Sequence, residues 1–222
     1  MFILTFLLII ALNLCVGVIC GGSNVPEAWF PLQFSCTLEI TSHLLPIDNE
    51  YPPKKRRMSI YYDYVNKRAR ADIDAGYEAA KFYIRRYDTK NEYMVRLPPI
   101  DDCKRSYLGE VMPFPEIPED SVFKGVRNMN GVDCNYFVFT EFDVKVHIYL
   151  SLEGAPVMLF QEREDANNGQ SIPLLTYEFS DVILEQPEES WFELPSPFEH
   201  KSCVRHIGGW PYLHVFHYFV RF

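Results

Sequence analysis

The sequence has no Gly-x-Ser-x-Gly elbow, no glycine-rich phosphate loop and no His-Glu-x-x-His pair. These absences exclude the usual signatures of serine hydrolases, P-loop nucleotide enzymes and helical zinc hydrolases. Asn-x-Ser/Thr is also missing, so N-linked glycans have no acceptor. Basic charge is in deficit: 21 Lys and Arg stand against 30 Asp and Glu, for a formal net charge of −9. An acidic chain repels phosphate backbones and anionic membrane surfaces, which excludes nucleic acid as the expected partner. Internal repeats and low-complexity runs are absent as well. What the 222 residues do have is 48% hydrophobic and 15% aromatic content, enough for a substantial core.

Residues 1–20, "MFILTFLLIIALNLCVGVIC", carry no charge and read as a secretory signal peptide, followed by small residues at Gly21, Gly22 and Ser23. An uncleaved anchor is the competing reading. The remaining residues, 21–222, read as a single antiparallel β domain with no stable membrane span once the signal is removed. The expected location is outside the cell or in the secretory-pathway lumen. Cys15 and Cys20 leave with the signal, and Cys36, Cys103, Cys134 and Cys203 stay. An even number in a secreted chain suggests two disulfides, with three connectivities open.

Strand-like alternation dominates the rest of the chain. In "RRMSIYYDYVNKRARADIDAG", Met58, Ile60, Tyr62 and Tyr64 share a face, and after an Asn66-Lys67 turn Ala69, Ala71 and Ile73 do the same. "KFYIRRY" and "EYMVRLP" form a second hairpin whose inward candidates are Phe82, Ile84, Tyr93, Val95 and Leu97. Residues 98–120, rich in proline and acid, read as a crossing loop. Strands resume at "VFKGVRNM", "CNYFVFTEF", "VKVHIYLSL", "PVMLFQE" and "LLTYEFSDVIL", and Val144, Val146, Ile148 and Leu150 share a face. Asn167-Asn168-Gly169 marks a turn before the last of these. The expectation is a mostly β fold, a curved antiparallel sheet of about ten strands.

Motifs with chemical content are few. His200, Cys203 and His206, with His214 and His217 beyond, are zinc-ligand types. The secretory compartment, however, claims Cys203 for a disulfide, so no metal is expected. "DIDAG" (Asp72, Asp74, Gly76) echoes a calcium loop, but its glycine comes one position early and no bidentate Glu follows at the right spacing. "KKRR" (Lys54 to Arg57) reads as a solvated strand edge rather than a processing site. Asp101-Asp102 and Glu188-Glu189 are adjacent pairs that point to no shared pocket. No catalytic residue and no cofactor is expected.

The chain's end, "GGWPYLHVFHYFVRF", is too short and too interrupted by His and Arg to span a membrane. As a helix it would set His214, His217 and Arg221 opposite Leu213, Phe216, Phe219 and Val220. A strand is the main competitor. In either form the tail reads as a short C-terminal segment covering the sheet.

"YYDYVNKRARADIDAG" resembles the opening hairpin of the LolA-like and ependymin-related secreted proteins: an aromatic-x-Asp strand, an Asn turn, then Arg alternating with small residues before Gly. "FYIRRYDTKNEYMVRLPPIDDC" and "FELPSPFEHKSC" are similar to the strand pair and the late Pro-and-Cys stretch of that group. The closest likeness is to the non-catalytic N-terminal region of counting-factor-associated, cathepsin-like proteins, over roughly residues 31–203. The resemblance implies a half-barrel whose concave apolar surface holds a lipid or other hydrophobic small molecule, with no enzymatic activity. It implies Tyr62, Tyr64, Phe82, Ile84, Tyr93, Val146 and Ile148 as ligand-facing positions, for which ordinary core is the competing role. It also implies a Cys103–Cys203 bond, which leaves Cys36 to pair with Cys134. The alternative function is an adhesion or protease-associated interaction module with a filled core.

Overall fold

The computed structural model describes residues 26, 29–49, 53–74 and 81–208. The expected signal, the tail 209–222 with His214 and His217, and Gly76 lie outside the described residues.

The first strands are β1 (Gln33–Ser42), β2 (Lys55–Asp63), β3 (Arg68–Ile73), β4 (Lys81–Arg86), β5 (Asn91–Arg96) and β6 (Asp102–Tyr107). After an irregular stretch come β7 (Val122–Met129), β8 (Val132–Glu141), β9 (Val144–Ser151), β10 (Pro156–Glu164) and β11 (Ser171–Ile183). A short 3-10 turn (Glu189–Phe192) and β12 (Val204–Arg205) complete the order. All twelve strands belong to one open, curved sheet, in the order β12-β6-β5-β4-β3-β2-β1-β11-β10-β9-β8-β7. Every pairing is antiparallel except that of β12 with β6. Among the described residues no helix is long and apolar enough to cross a membrane.

Local sequence explains the elements. β1 alternates buried Phe34, Cys36, Leu38 and Ile40 with half-buried neighbours, the period-two signature of a strand with one dry face. The turn at the Asn-Asn-Gly segment needs a left-handed residue, and Gly169 supplies it at φ 68°. The nine segments named as strands from sequence omit β1, β6 and β12, and the last two are hidden by short, charged sequences. β6 lies inside the segment read as a crossing loop, where "DDCKRSY" buries only Cys103 and Ser106. β12 is two residues long.

One face of the sheet carries the largest core. It unites Leu38 and Ile40 of β1, Met58, Ile60 and Tyr62 of β2, Tyr83 of β4, Met94 of β5, Phe137 of β8, Ile148 of β9 and Leu159 of β10 in one cluster. A single cluster reaching from β5 to β8 requires the sheet to curl around it, so this is the inner face of a half-barrel. The opposite face carries two separate clusters. One, on β4–β6, gathers Phe82, Ile84, Tyr93, Val95 and Cys103 with Phe192 and Cys203 of the C-terminal segment. The other, on β8 and β9, comprises Cys134, Tyr136, Val138 and Tyr149. The C-terminal cover of the described chain is therefore residues 189–203, laid on the outer face.

Cys103 and Cys203 are bonded, with Cα atoms 4.7 Å apart. The expected Cys36–Cys134 bond is corrected: both cysteines are free and buried. Cys36 belongs to the inner cluster and Cys134 to an outer one. Three strands separate β1 from β8, roughly 19 Å along the sheet at the usual ~4.8 Å spacing. Neither separation permits a disulfide. Burial pushes the Cys36 thiol up to about 12, so it stays protonated and inert.

Candidate functional site: the strapped inner face

The strand registers align one cross-strand row on the inner face: Phe34, Tyr62, Ala69, Arg85, Glu92 and Ser106. Arg85 and Glu92 are directly opposite in the β4–β5 hairpin, where an opposite-charge pair stabilises the register. Both are enclosed, with side-chain exposures of 3% and 2%. Arg85 Nε donates to Glu92 Oε1 at 2.9 Å, and Nη1 donates to the Tyr87 hydroxyl at 3.3 Å and to Glu110 Oε1 at 2.9 Å. Burial disfavours the guanidinium's charge, but Tyr87 and Glu92 outweigh it and hold its pKa above the ordinary value. Burial likewise raises the Tyr87 hydroxyl.

Glu110 arrives on the segment between β6 and β7, residues 108–121, which straps the inner face. Pro113, Pro115 and Pro118 withhold backbone donors, so the segment cannot form a ladder of its own. Its apolar side chains instead enter the core: Leu108, Met112 and Ile117 are buried in the inner cluster. Polar contacts hold it in place. The Tyr62 hydroxyl donates to the Pro113 carbonyl at 3.3 Å, and the Phe30 amide donates to the Pro115 carbonyl at 2.8 Å. Phe114 meets Tyr64 edge-on, with ring centroids 5.2 Å apart.

Of the seven candidate positions, the structure brings four to the inner face and leaves three outside it. Tyr62, Val146 and Ile148 are buried there, and Tyr64 packs against the same cluster. Phe82, Ile84 and Tyr93 are on the outer face beneath Phe192 and the disulfide. That assignment is a correction. Residues 82 to 85 are all buried, so alternation in "KFYIRR" has no visible phase. The register of Ala71 with Tyr83 and of Tyr83 with Met94 decides it, turning Tyr83 inward. Val95 follows Tyr93 outward and Leu97 is exposed. The charged pair Arg85–Glu92 escaped the sequence reading, because buried charges alternate as a solvated face does. Its one available signal was placement at matched positions across the hairpin turn.

The outer face holds a further group of polar side chains. Tyr136 OH and His147 Nδ1 are 2.7 Å apart, and His147 Nε2 lies 3.1 Å from Glu162 Oε1. Ser171 donates to the other Glu162 oxygen. Burial pushes the Glu162 carboxyl up, but Ser171 and His147 outweigh it and hold it below its ordinary range. The serine bonds the carboxylate and not the imidazole, so these three side chains do not stand in the serine–histidine–carboxylate order of a hydrolytic triad. Among the described residues no three His, Cys, Asp or Glu side chains converge as metal ligands. His200 bonds Tyr93 and Arg105 instead, at 2.7 Å each.

No family model and no curated protein matches the chain. Among solved structures, an uncharacterized conserved protein from Thermus thermophilus aligns over 79% of this chain and 91% of its own length, at 12% identity and a TM-score of 0.50. PNGF-II, in two crystal forms, aligns over 78% and 73% of this chain at 9% and 8% identity, each with a TM-score of 0.36. The alignments cover 31% and 30% of PNGF-II, so this chain spans about a third of that protein. The chain is thus similar in fold to the Thermus protein, a likeness of architecture alone.

Proposed function

We propose that the protein is a non-enzymatic carrier of the secretory pathway or extracellular space, which holds a hydrophobic small molecule or lipid against the inner face of its half-barrel. The observation that carries this reading is the strap. An irregular, proline-rich segment inserts Leu108, Met112 and Ile117 into the apolar interior of a one-sheet half-barrel. Side chains from such a segment can withdraw and uncover an apolar lining, the kind of surface against which an acyl chain packs. The resemblance to LolA-like and ependymin-related proteins points the same way, and the Cys103–Cys203 bond is compatible with an oxidising compartment. The test is uptake of a fluorescent long-chain fatty acid by delipidated protein, together with mass spectrometry of lipid that co-purifies. Saturable uptake or a stoichiometric lipid supports the carrier, and the lack of both rejects it.

A second reading, the interaction module with a filled core, is favoured by one observation. Leu38, Ile40, Ile148, Leu150 and Leu159 are all 2% exposed or less with no ligand present. On that reading the strap never lifts, and proteolysis at Val111 on the strap is unaffected by any lipid. A carrier with lipid bound instead changes its cleavage rate there.

A further inference from the structure

The charges on the inner face exceed what closing an apolar core requires. Arg85 already has a carboxylate of its own hairpin, Glu92, on Nε at 2.9 Å, and that pair is electrically complete. The strap brings a second carboxylate, Glu110, to Nη1. Unlike the enclosed Arg85 and Glu92, Glu110 is 40% exposed, so it is the member of the group that can leave. When the strap lifts, Nη1 loses that acceptor at the very place where the apolar interior opens. A guanidinium keeps its donors in a fixed fork, and a carboxylate is the acceptor that matches it.

We infer that the ligand is a long-chain aliphatic carboxylate whose head group takes the place of Glu110 on Arg85, while its chain takes the place of Leu108, Met112 and Ile117. This inference rests on the carrier reading. The geometry has the polarity of such an amphiphile. Arg85 is two residues from Tyr87, whose amide bonds the Lys67 carbonyl in the β2–β3 turn, so the charged row lies near the strand ends. The next row inward, Ile60, Ala71, Tyr83 and Met94, is apolar across β2 to β5 and ends at Lys104 on β6. A carboxylate replaces Glu110 charge for charge, whereas a dianionic phosphate would add negative charge beside Glu92.

The experiment compares three probes of one chain length on the delipidated full chain: a pyrene-labelled fatty acid, its methyl ester and the corresponding alkyl phosphate. The acid is expected to bind about tenfold more tightly than the ester, the difference one charge-assisted hydrogen bond makes. Glu110→Gln, at a half-exposed position, should tighten the acid severalfold and the ester little, because it removes the competing carboxylate. The double variant Arg85→Gln with Glu92→Gln removes the buried charges together and should bind acid and ester alike. Equal binding of acid and ester by the parent protein, tighter binding of the phosphate, or an unchanged acid affinity in Glu110→Gln overturns the inference and leaves the carrier standing. Failure of all three probes to bind overturns this inference, and together with the lack of any co-purifying lipid it removes the carrier reading as well.

Discussion

Asp63 shows how the fold keeps a charge where no water reaches. Its carboxylate is fully enclosed, and accepts hydrogen bonds from Gln33 Nε2 at 2.8 Å, the Asn66 amide at 3.1 Å, Asn66 Nδ2 at 2.8 Å and Arg68 Nε at 3.1 Å. Burial pushes its pKa up, but the bonds from Asn66, Gln33 and Arg68 outweigh burial and leave it below the ordinary carboxylate value. A depressed folded-state pKa means that Asp63 stabilises the fold fully above its unfolded value, and that this contribution disappears as pH falls through the folded value. Asp63→Asn should therefore lower stability at neutral pH and flatten its decline in acid, measured by urea unfolding between pH 7 and pH 2. A parallel decline in both proteins would show that Asp63 contributes nothing to acid sensitivity. At the inner row, Glu92→Gln leaves the Arg85 charge without its hairpin partner and should destabilise by about 3–5 kcal/mol. Equilibrium denaturation reads this directly, and a loss under about 1 kcal/mol would mean that Glu110 and Tyr87 suffice.

At the scale of elements, the C-terminal cover depends on side chains from separate strands. Phe192 and Cys203 enter the outer cluster, and Trp191 stacks on Tyr61 with centroids 4.2 Å apart. Arg70 Nη1 donates to the Trp191 carbonyl at 2.9 Å, and its guanidinium lies 4.2 Å from the centre of the Phe82 ring. An arginine cannot accept, so Arg105 donates to His200 Nε2, and His200 Nδ1 then donates to the Tyr93 hydroxyl. The Cys103–Cys203 bond closes a loop of sequence separation 100, and its removal should cost about 2–5 kcal/mol. A Cys103→Ala, Cys203→Ala double variant should unfold at lower denaturant, and its cover should become the first site of limited proteolysis. An unchanged midpoint would mean that the aromatic contacts alone hold the cover. The hairpin β2–β3 was legible in both turn and alternation; β4–β5 was legible in its turn alone, since four consecutive buried residues in each strand hide which face is inner. β6 was not, because a strand held between β5 and the two-residue β12 needs few apolar residues and resembles a polar loop.

For the whole molecule, the consequence of one curved sheet is two kinds of buried surface: a continuous interior and a patchwork outside. The free thiols report on both. Cys36 belongs to the interior and Cys134 to the outer patch, and each is 5% exposed or less. Protein lacking residues 1–20 should resist alkylation when native and take up two alkyl groups when unfolded without reductant. No uptake would restore a second disulfide and contradict the fold. Composition and period-two patterning by themselves determined the β class, the hairpins and the expectation of an oxidising compartment, because these depend on local alternation and on cysteine number. Tertiary structure alone decided which face is inner, which cysteines meet, and that Arg85, Glu92 and Glu110 converge. Each depends on strand register and sheet curvature, and a one-residue slip in register would invert every face. No run of neighbouring residues encodes that.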